Sequence, residues 1–380
     1  MYICFVAPRM HTNQNPILEG LIKKGDRVSF YAYYCGKIED YSAVTPIIIK
    51  NSWIARLINI FQKILLDPIS YESKMLRLPS FLFFIKEFKN DKPDLVILRA
   101  PSYSTILLNL LFKIMGINTL LYDQKEVIYQ YPFVLKQLLP KVRYTPILSL
   151  TPSNNRIDTY KKSYYIPLVY AAKTLNLNNE ISCEKQTINI LDVGKYRDYK
   201  NHFFLVNVIE KLVNSGINNF HLDIIGQAEN LSERDYYVRL CKEVEIRKLS
   251  SCISIHSDVP YSKMTDLYQK NDILVLASKR ESYGMVVIEG MAHAMSVLCS
   301  KNAGVSFNVS LSGGGDLFDP FNEDSLYRLL EERLLNPKLI ELEKKKSREF
   351  IFKETSIDNY IRILDTIMKN EFNYELPQSY

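Results

Sequence analysis

The chain has 380 residues, of which 47% are hydrophobic and 24% charged. This length predicts two domains or three small ones, the apolar content excludes disorder as the main state, and 13 glycines without a period exclude a collagen-like fibre. The charge is uneven: residues 1–180 contain 23 Lys and Arg against 13 Asp and Glu, and residues 181–380 contain 25 against 29. A basic first half favours a polyanionic partner, which is an anionic membrane surface, a nucleic acid or a phosphorylated substrate.

Short apolar runs alternate with longer amphipathic stretches in the first half of the chain. Strands this short and this apolar are typical of a parallel sheet that helices cover on both faces. The alternation stops in a polar, Asn-rich stretch near 165–186, where we place a linker. The predicted strands are 2–7, 27–32, 95–99, 119–122 and 147–151, and the predicted helices are 16–24, 52–66, 79–90 and 103–115.

A second alternation follows the linker. Its predicted strands are 188–193, 220–225, 253–256, 273–277 and 297–300, and its predicted helices are 202–215, 233–248, 264–270, 286–294, 325–335 and 356–369. The pattern predicts an α/β protein with two tandem Rossmann-like domains and parallel sheets. Ligands of such sheets lie beyond the carboxyl ends of the strands, so we expect the active site in the cleft between the domains. The expected boundaries are 1–170, a linker at 171–187, 188–355, and a last helix within 356–380 that returns to the first domain.

Cysteine spacing and hydropathy favour a cytoplasmic location. The six cysteines are scattered without a C-x-x-C pair, which is typical of free thiols in a reducing compartment, with disulfides or a zinc site as the alternatives. The first residues are expected to form a strand and not a secretory signal. The longest apolar stretch, 106–122, is interrupted by polar residues and is too broken to span a membrane.

The most informative segment joins the strand 273–277 to the helix 286–294. It places Glu281 in a polar loop, Gly284 at the turn, and Glu289 eight positions after Glu281. The first N–H groups of a helix have no partner within the helix and can hold an anion. A carboxylate beside them accepts hydrogen bonds from the hydroxyls of a sugar or a ribose.

A second segment follows the strand 188–193. Gly194 is followed by Lys195 and Lys200, two cations that precede a helix, and Arg197 lies between them. Two cations beside a helix N-terminus suit a diphosphate.

These two segments resemble those of the retaining family-4 glycosyltransferases, the glycogen-synthase-like group with the GT-B fold. Glu281-x-Tyr283-Gly284-x-x-x-x-Glu289 is similar to the family's Glu–seven residues–Glu motif, with Tyr in place of Phe. The resemblance implies that Glu281 contacts the donor sugar near its anomeric carbon and that Glu289 binds the ribose. It implies a catalytic role for Lys195, in the place of the family's Arg, and for Lys200, both on the leaving diphosphate. The remaining donor-binding residues that it implies are Tyr283, Gly284, Met285, Val286, Gly194, Gly226, His256 and Val259.

The first half matches this family mainly in its layout. The family usually has a Gly-Gly pair after the first strand, where this chain offers the hydroxyl of Thr12 and the amide of Asn13 to the acceptor and the sugar. The segment that begins near Asp123 places Lys125 where many members have His. Lys125 either binds a phosphate or an acidic sugar, or points to solvent. Gly304 and the glycine-rich run 313–318 fall near the family's late glycine loops.

The resemblance implies a retaining, metal-independent transferase that moves a hexosyl group from a nucleotide-diphosphate sugar, with a UDP-sugar favoured. The implied acceptor is a hydroxyl of a glycan, such as a lipid-linked oligosaccharide in O-antigen or capsule synthesis. The absence of Asp-x-Asp and of a His/Cys ligand cluster predicts no metal, and we expect no cofactor. The alternatives are a nucleotide-sugar 2-epimerase and a non-catalytic nucleotide-sugar-binding protein. No nucleic-acid-binding motif is present.

Basic amphipathic stretches with aromatic residues distinguish the first half. In the helix 52–66, Trp53, Leu57, Phe61 and Ile64 share one face, and the helix 79–90 and the stretch 135–144 add further aromatic residues or cations. This pattern is typical of docking on a membrane surface, here the cytoplasmic face of the inner membrane. It is also compatible with ordinary sheet-covering helices that have charged outer faces.

Overall fold

Parallel strands form two separate sheets, one in each unit of the protein. The structure, a computed structural model, describes residues 1–36, 39–65, 78–100, 103–123, 145–150, 162–170, 187–260 and 263–374. The first unit combines Met1–Val169 with Ile357–Tyr380, and the second is Tyr170–Ser356. Residues 171–186, in the predicted linker, and the basic stretch 135–144 lie outside the described residues.

Strands and helices alternate along the described chain. The strands are β1 (Tyr2–Ala7), β2 (Arg27–Ala32), β3 (Ile47–Ile48), β4 (Leu95–Ala100), β5 (Asn118–Asp123), β6 (Ile147–Ser149), β7 (Ser163–Tyr165), β8 (Ile188–Val193), β9 (Phe220–Gly226), β10 (Ile253–Ser257), β11 (Ile273–Leu276), β12 (Ser296–Ser300) and β13 (Gly315–Phe318). The helices are α1 (Asn15–Lys23), α2 (Trp53–Leu65), α3 (Phe81–Glu87), α4 (Tyr103–Ile114), α5 (His202–Asn214), α6 (Leu231–Ile246), α7 (Met264–Lys270), α8 (Met285–Ala292), α9 (Ser306–Ser312), α10 (Glu323–Leu335), α11 (Pro337–Glu354) and α12 (Ile357–Phe372). The predicted elements agree with these bounds to within about three residues, and the prediction omitted β3, β7, α9, β13 and α11.

The first unit is built on a seven-stranded sheet with the order β3-β2-β1-β4-β5-β6-β7, in which all neighbours pair in parallel. On one face, α1 and α12 share a core that contains Leu18 and Leu364. On the other face, Phe84 of α3 and Phe112 of α4 pack against each other with ring centroids 5.2 Å apart. The last helix of the chain therefore completes the core of the unit in which the chain begins.

Close contact between α1 and α12 depends on a glycine. A Cβ atom on Gly20 would lie 2.0 Å from Cγ1 of Ile357, so only glycine lets the two helices approach this closely. Lys24 at the end of α1 also donates a hydrogen bond of 2.7 Å to Asp365 of α12.

The second unit has a six-stranded parallel sheet with the order β10-β9-β8-β11-β12-β13. The order reverses between β8 and β11, which pair through Ile190 with Ile273 and Leu191 with Leu274. Side chains of α5, α6 and α10 fill the core on one face of this sheet. In doubly wound sheets the loops beyond the carboxyl ends of the strands at such a reversal form the ligand crevice. In this unit the loops after β8 and β11 are the ones that follow the reversal. The α/β fold with two parallel sheets that the sequence predicted is confirmed.

The glycine-rich run 313–318, which falls near the family's late glycine loops, forms a turn and a strand. Gly313 ends α9 with a left-handed φ of 61°. Gly315 begins β13, where a Cβ atom would lie 1.8 Å from the carbonyl oxygen of Val297 in β12. These glycines permit close pairing of two strands.

Among the described residues, no helix combines the length and the apolarity that crossing a membrane requires.

Candidate functional site

The loop after β8 holds Lys200 in a fixed position. A short 3-10 turn, Asp198–Lys200, is followed by Asn201 in a left-handed conformation with φ 68°, and α5 begins at the next residue. The aliphatic part of Lys200 passes over Gly194, where a Cβ atom would lie 3.1 Å from Cδ of Lys200. Gly194 thus provides the space that lets Lys200 reach the neighbouring loop.

The loop after β11 turns into α8 at Gly284. Gly284 has φ 103°, a conformation that residues with side chains rarely adopt, and a Cβ atom there would lie 3.0 Å from both Leu276 and Val305. Met285 and Val286 form the first turn of α8, where backbone N–H groups have no partner further back within the helix. This end of α8 is therefore suited to an anion, as the sequence predicts.

The structure brings Lys200 and Glu281 together. The Lys200 ammonium lies 2.5 Å from Oε2 of Glu281, and the two side chains are only 14% and 19% exposed. The loops are also joined through the backbone, because the N–H of Lys279 donates to the carbonyl of Tyr199 at 2.8 Å. A charge-assisted hydrogen bond at this level of burial is stronger than a surface ion pair.

The loop after β12 supports the Glu281 loop from the other side. Glu281 and Ala303 form an isolated parallel bridge, and the N–H of Gly304 donates to the carbonyl of Glu281 at 3.2 Å. A Cβ atom on Gly304 would lie 2.4 Å from the carbonyl oxygen of Ser282. Gly304 therefore allows the close backbone contact that fixes Glu281.

Lys195 has a different partner from Lys200. Its ammonium lies 2.8 Å from the carboxylate of Glu229, and both side chains are at least a third exposed. Arg197 contacts Glu233 at 2.6 Å. In this arrangement only Lys200, of the two predicted cations, contacts Glu281.

Glu289 lies on α8, about one turn after its start. The hydroxyl of Tyr268 in α7 donates a hydrogen bond of 2.6 Å to Oε2 of Glu289. Burial raises the pKa of Glu289, and the hydrogen bond from Tyr268 acts in the opposite direction because it stabilises the carboxylate. Sequence reasoning did not identify this contact, which joins two helices.

Three of the remaining predicted donor residues lie near the ends of β9 and β10. A Cβ atom on Gly226 would lie 2.4 Å from the carbonyl oxygen of Gly194, so the loops after β8 and β9 are in close contact. The exposed His256 has its Nε2 3.3 Å from Asp223, and its carbonyl accepts a hydrogen bond from Tyr196. Two further members of the predicted set are Val259, which is partly buried after β10, and Tyr283, which is buried in the loop before α8.

A buried acid and base lie behind Lys200, and sequence reasoning missed both. Oδ2 of Asp192 in β8 is 3.4 Å from Nε2 of His202, the first residue of α5. Burial raises the pKa of Asp192 to about 7 and lowers the pKa of His202 to about 3, and the Lys200 charge lowers both pKa values. The only local signals are an Asp inside an apolar strand and a His at a helix start.

The predicted acceptor residues lie in the first unit. The hydroxyl of Thr12 donates to Glu39 at 2.8 Å and accepts from the N–H of Asp40 at 2.9 Å, and Asn13 is partly buried in the same 3-10 turn. Asp123 is the last residue of β5, whereas Lys125 lies outside the described residues.

Comparison with known proteins identifies the class of the second unit. Residues 178–350 match the family described as "Glycosyl transferases group 1". The match supports the coarse class, a group 1 glycosyltransferase, that is expected from the Glu281 and Lys200 segments.

Two curated relatives share part of the chain. An "Uncharacterized 41.2 kDa protein in cps region" of Klebsiella pneumoniae is 23% identical over 246 residues, which cover 59% of this chain and 64% of the relative. A "GDP-Man:Man(3)GlcNAc(2)-PP-Dol alpha-1,2-mannosyltransferase" of Caenorhabditis elegans is 26% identical over 130 residues, which cover 33% of this chain and 27% of the relative. The matches thus span less than two thirds of the length of either relative.

Solved structures match nearly the whole chain. A glycosyltransferase from Rickettsia africae superposes with a TM-score of 0.75 and 16% identity over 98% of this chain and 99% of that one. Alr3699/HepE of Anabaena, in complex with UDP and glucose, superposes with a TM-score of 0.69 and 10% identity over 97% of this chain and 100% of that one. At these identities the likeness establishes the fold, which is the GT-B fold of glycosyltransferases.

Proposed function

We propose that this chain is a retaining glycosyltransferase that moves a hexosyl group from a nucleotide-diphosphate sugar to a hydroxyl of a glycan. One observation carries the proposal: Lys200 and Glu281 meet at the strand-order reversal of a group 1 glycosyltransferase domain. A cation suits the diphosphate, and a carboxylate suits the sugar hydroxyls. A UDP-sugar is the favoured donor, because the structurally similar Anabaena protein was solved in complex with UDP and glucose.

In the proposed mechanism the donor replaces the ion pair between Lys200 and Glu281. The Lys200 ammonium moves to the diphosphate, and the Glu281 carboxylate accepts hydrogen bonds from the sugar hydroxyls. The N–H groups of Met285 and Val286 at the start of α8 add positive potential beside the leaving group. Lys200 thus exchanges one ionic contact for another, and Glu281 exchanges its ionic contact for hydrogen bonds from hydroxyl groups, so that neither charge is left without a partner.

The chemical step breaks the bond between the anomeric carbon and the diphosphate oxygen, and the electron pair leaves with the diphosphate. The acceptor oxygen forms the new bond on the same face of the sugar, and its proton passes to the departing diphosphate oxygen. The sugar has oxocarbenium character in the transition state. Lys200 stabilises the charge that develops on the leaving group, so we propose that the reaction needs no metal ion.

Lys195 is proposed to assist the same leaving group. It must first release Glu229, and both side chains are exposed, so that this separation costs little. Its replacement is therefore expected to reduce the rate less than replacement of Lys200.

A donor screen tests this proposal. UDP-, GDP- and dTDP-sugars are incubated with the full chain in EDTA, with and without a lipid-linked glycan, and release of the nucleoside diphosphate is followed. For the preferred donor we expect kcat/KM to fall about 100-fold or more in Lys200→Ala and in Glu281→Gln. Lys301→Ala is the matched control, because Lys301 is an exposed cation of the same unit that pairs with Asp319. The anomeric configuration of the product, read by NMR, reports retention.

Several outcomes would overturn the proposal. Turnover that is unchanged in both variants would show that Lys200 and Glu281 do not act in the reaction. A product with inverted anomeric configuration would exclude a retaining mechanism. Formation of an epimerised nucleotide sugar would favour the epimerase. Donor binding without turnover, even with the lipid-linked glycan, would favour a binding protein.

The proposed acceptor is a lipid-linked oligosaccharide of O-antigen or capsule synthesis. Support comes from the relative named for a cps region and from the mannosyltransferase whose name gives a substrate linked to PP-Dol. Thr12, Asn13, Asp123 and Lys125 are the proposed residues on the acceptor and sugar side.

Helix α2 supports a location at the cytoplasmic face of the inner membrane. Its buried residues include Ala55 and Asn59, which are small or polar, whereas Trp53, Phe61 and Ile64 are 65–74% exposed. A helix that covers a sheet has the opposite arrangement, with its large apolar residues facing the core. The exposed apolar face of α2 therefore needs another partner.

An anionic bilayer is the partner that we propose for this face. Helices α2 and α3 begin side by side, because the N–H of Ser52 donates to the carbonyl of Leu78 at 2.8 Å, and Leu82 of α3 is 68% exposed. Arg56 and Lys63 are exposed on α2, which contains no Asp or Glu. Apolar side chains flanked by cations are typical of helices that lie in the headgroup region of anionic membranes.

Trp53 is the single tryptophan, so its fluorescence tests this location directly. We expect a blue shift when vesicles with phosphatidylglycerol are added, a smaller shift with neutral vesicles, and loss of the shift in Phe61→Ser/Ile64→Ser. Leu311→Ser is the control, because Leu311 is equally exposed but lies in the second unit. An unchanged spectrum would refute the proposal that a membrane covers this face. A blue shift that grows with protein concentration in the absence of vesicles would indicate that a second copy of the chain covers it instead.

A further inference from the structure

Tyr268 is buried beside the carboxylate that the proposed function assigns to the ribose. Its side chain lies on α7 and is only 2% exposed, and its hydroxyl lies 2.6 Å from Oε2 of Glu289 on α8. A carboxylate accepts about four hydrogen bonds, so this contact leaves capacity on Glu289 for two neighbouring hydroxyls.

His293 fixes the ring of Tyr268. The two rings are stacked, with centroids 5.0 Å apart and an angle of 21° between their planes. Nδ1 of His293 lies 2.7 Å from the carbonyl oxygen of Glu289, so that His293 carries its proton on Nδ1 and donates it to that carbonyl. Burial lowers the pKa of His293, which keeps this ring neutral at physiological pH. The ring that orients Tyr268 is therefore attached to the same helical turn as Glu289.

This arrangement restricts both the orientation and the charge of Glu289. Without the hydroxyl of Tyr268, the carboxylate loses its hydrogen-bond donor in α7 and becomes free to rotate. Burial raises the pKa of Glu289, and without the hydrogen bond from Tyr268 no described residue of α7 counteracts this effect. A protonated or rotated Glu289 is a poorer acceptor for hydroxyl groups.

We infer that Tyr268 is a positioning residue that holds Glu289 ready to accept both ribose hydroxyls of the donor nucleotide, and that it thereby sets a preference for ribo- over 2′-deoxynucleoside diphosphates. This inference rests on the proposed function. It adds a residue that touches no ligand and acts through Glu289, supported by His293.

Calorimetric titration of the full chain with UDP, 2′-deoxy-UDP, GDP and 2′-deoxy-GDP tests the inference. We expect the wild type to bind the ribose form about tenfold more tightly than the 2′-deoxy form. In Tyr268→Phe this ratio should fall to about two, because the ribose form loses affinity and the deoxy form changes little. In Glu289→Gln the ratio should also be near two, and adding Tyr268→Phe should not change it further.

Tyr327→Phe is the matched control. Its hydroxyl donates to the carboxylate of Glu331 at 2.7 Å on α10, so the substitution removes the same type of hydrogen bond elsewhere in the same unit. The ratio of two affinities within one variant does not depend on the folded fraction, so a loss of stability in Tyr268→Phe cannot imitate the effect. As a second readout, the affinity of Tyr268→Phe for the ribose form should decline on acidification at a higher pH than that of the wild type.

The outcomes separate this inference from the proposed function. An equal loss for ribose and deoxy forms in Tyr268→Phe, or an unchanged ratio, would overturn the positioning role and leave the transferase proposal intact. A wild type that binds none of the four nucleotides would overturn both.

Discussion

The buried pair of Asp192 and His202 predicts a distinctive dependence of stability on pH. Burial lowers the pKa of His202 from 6.5 to about 3, so in that range the unfolded chain binds a proton that the folded chain does not, and stability rises with pH. Burial raises the pKa of Asp192 from 3.8 to about 7, so in that range the folded chain holds a proton that the unfolded chain has lost, and stability falls with pH. Between pH 3.8 and 6.5 the two effects cancel.

Replacing one member of the pair removes this cancellation. One unmatched proton changes the free energy of unfolding by about 1.4 kcal/mol for each pH unit. Relative to wild type, the free energy of unfolding of Asp192→Asn should therefore increase by about 3 kcal/mol as the pH rises from roughly 4 to 6.5. His202→Asn should lose a similar amount over the same interval, and the double variant should again be parallel to the wild type.

Peptide-resolved hydrogen exchange in increasing urea measures these free energies. Peptides from β8 and α5 report opening of the second unit, and comparing variants at the same pH cancels the intrinsic pH dependence of exchange. Slopes of the same sign in the two single variants would refute the reasoning. A curve for Asp192→Asn parallel to that of the wild type would show that Asp192 does not hold a proton in the folded chain over this interval.

Three further substitutions probe the contacts that shape the site. Gly226→Ala places a Cβ atom 2.4 Å from the carbonyl oxygen of Gly194 and should lower the free energy of urea unfolding by about 1–3 kcal/mol, whereas an unchanged midpoint would contradict this close contact. Gly304→Ala should displace Ser282 and with it the Glu281 loop, so we expect UDP affinity in calorimetry to fall by about tenfold; full affinity would show that the loop is independent of Gly304. Arg333→Ala should leave the buried carboxylate of Glu343 without its cation and should lower the free energy of unfolding, measured by thermal unfolding, by about 3–5 kcal/mol. A decrease below about 1 kcal/mol would contradict the burial of this ion pair.

The sequence predicts the sheets well because buried parallel strands contain continuous apolar residues. β8 and β11 were located from such runs, and the loops that follow them were expected to carry the chemistry. β3 has only two residues, too few to form a recognisable run. Charged residues dominate α11, so it was not recognised as a helix.

Contacts between distant segments limit what the sequence predicts about the site. Lys200 and Glu281 were placed in one site because each follows a predicted strand and because their two segments resemble donor-site motifs of one family. The partner of Lys195 was not foreseen, because Glu229 follows a different strand and nothing in its neighbourhood marks it. The Tyr268–Glu289 bond and the Asp192–His202 contact each join two elements, and neither shows a pattern within one segment.

Helix α12 has a consequence for the synthesis of this protein. The buried face of α12 is part of the same core as α1 and β1, although more than 300 positions separate them; its residues in that core are Tyr360, Leu364, Ile367 and Met368. While a ribosome synthesises the chain from its N-terminus, the second unit has all its residues before the first one does. The apolar face of α1 and its sheet therefore stays uncovered until the codons for residues 357–372 are translated. A premature stop codon after residue 356 would leave the apolar face of α1 and its sheet exposed. A chaperone or a protease would then bind near the N-terminus of the chain, far from the truncated end.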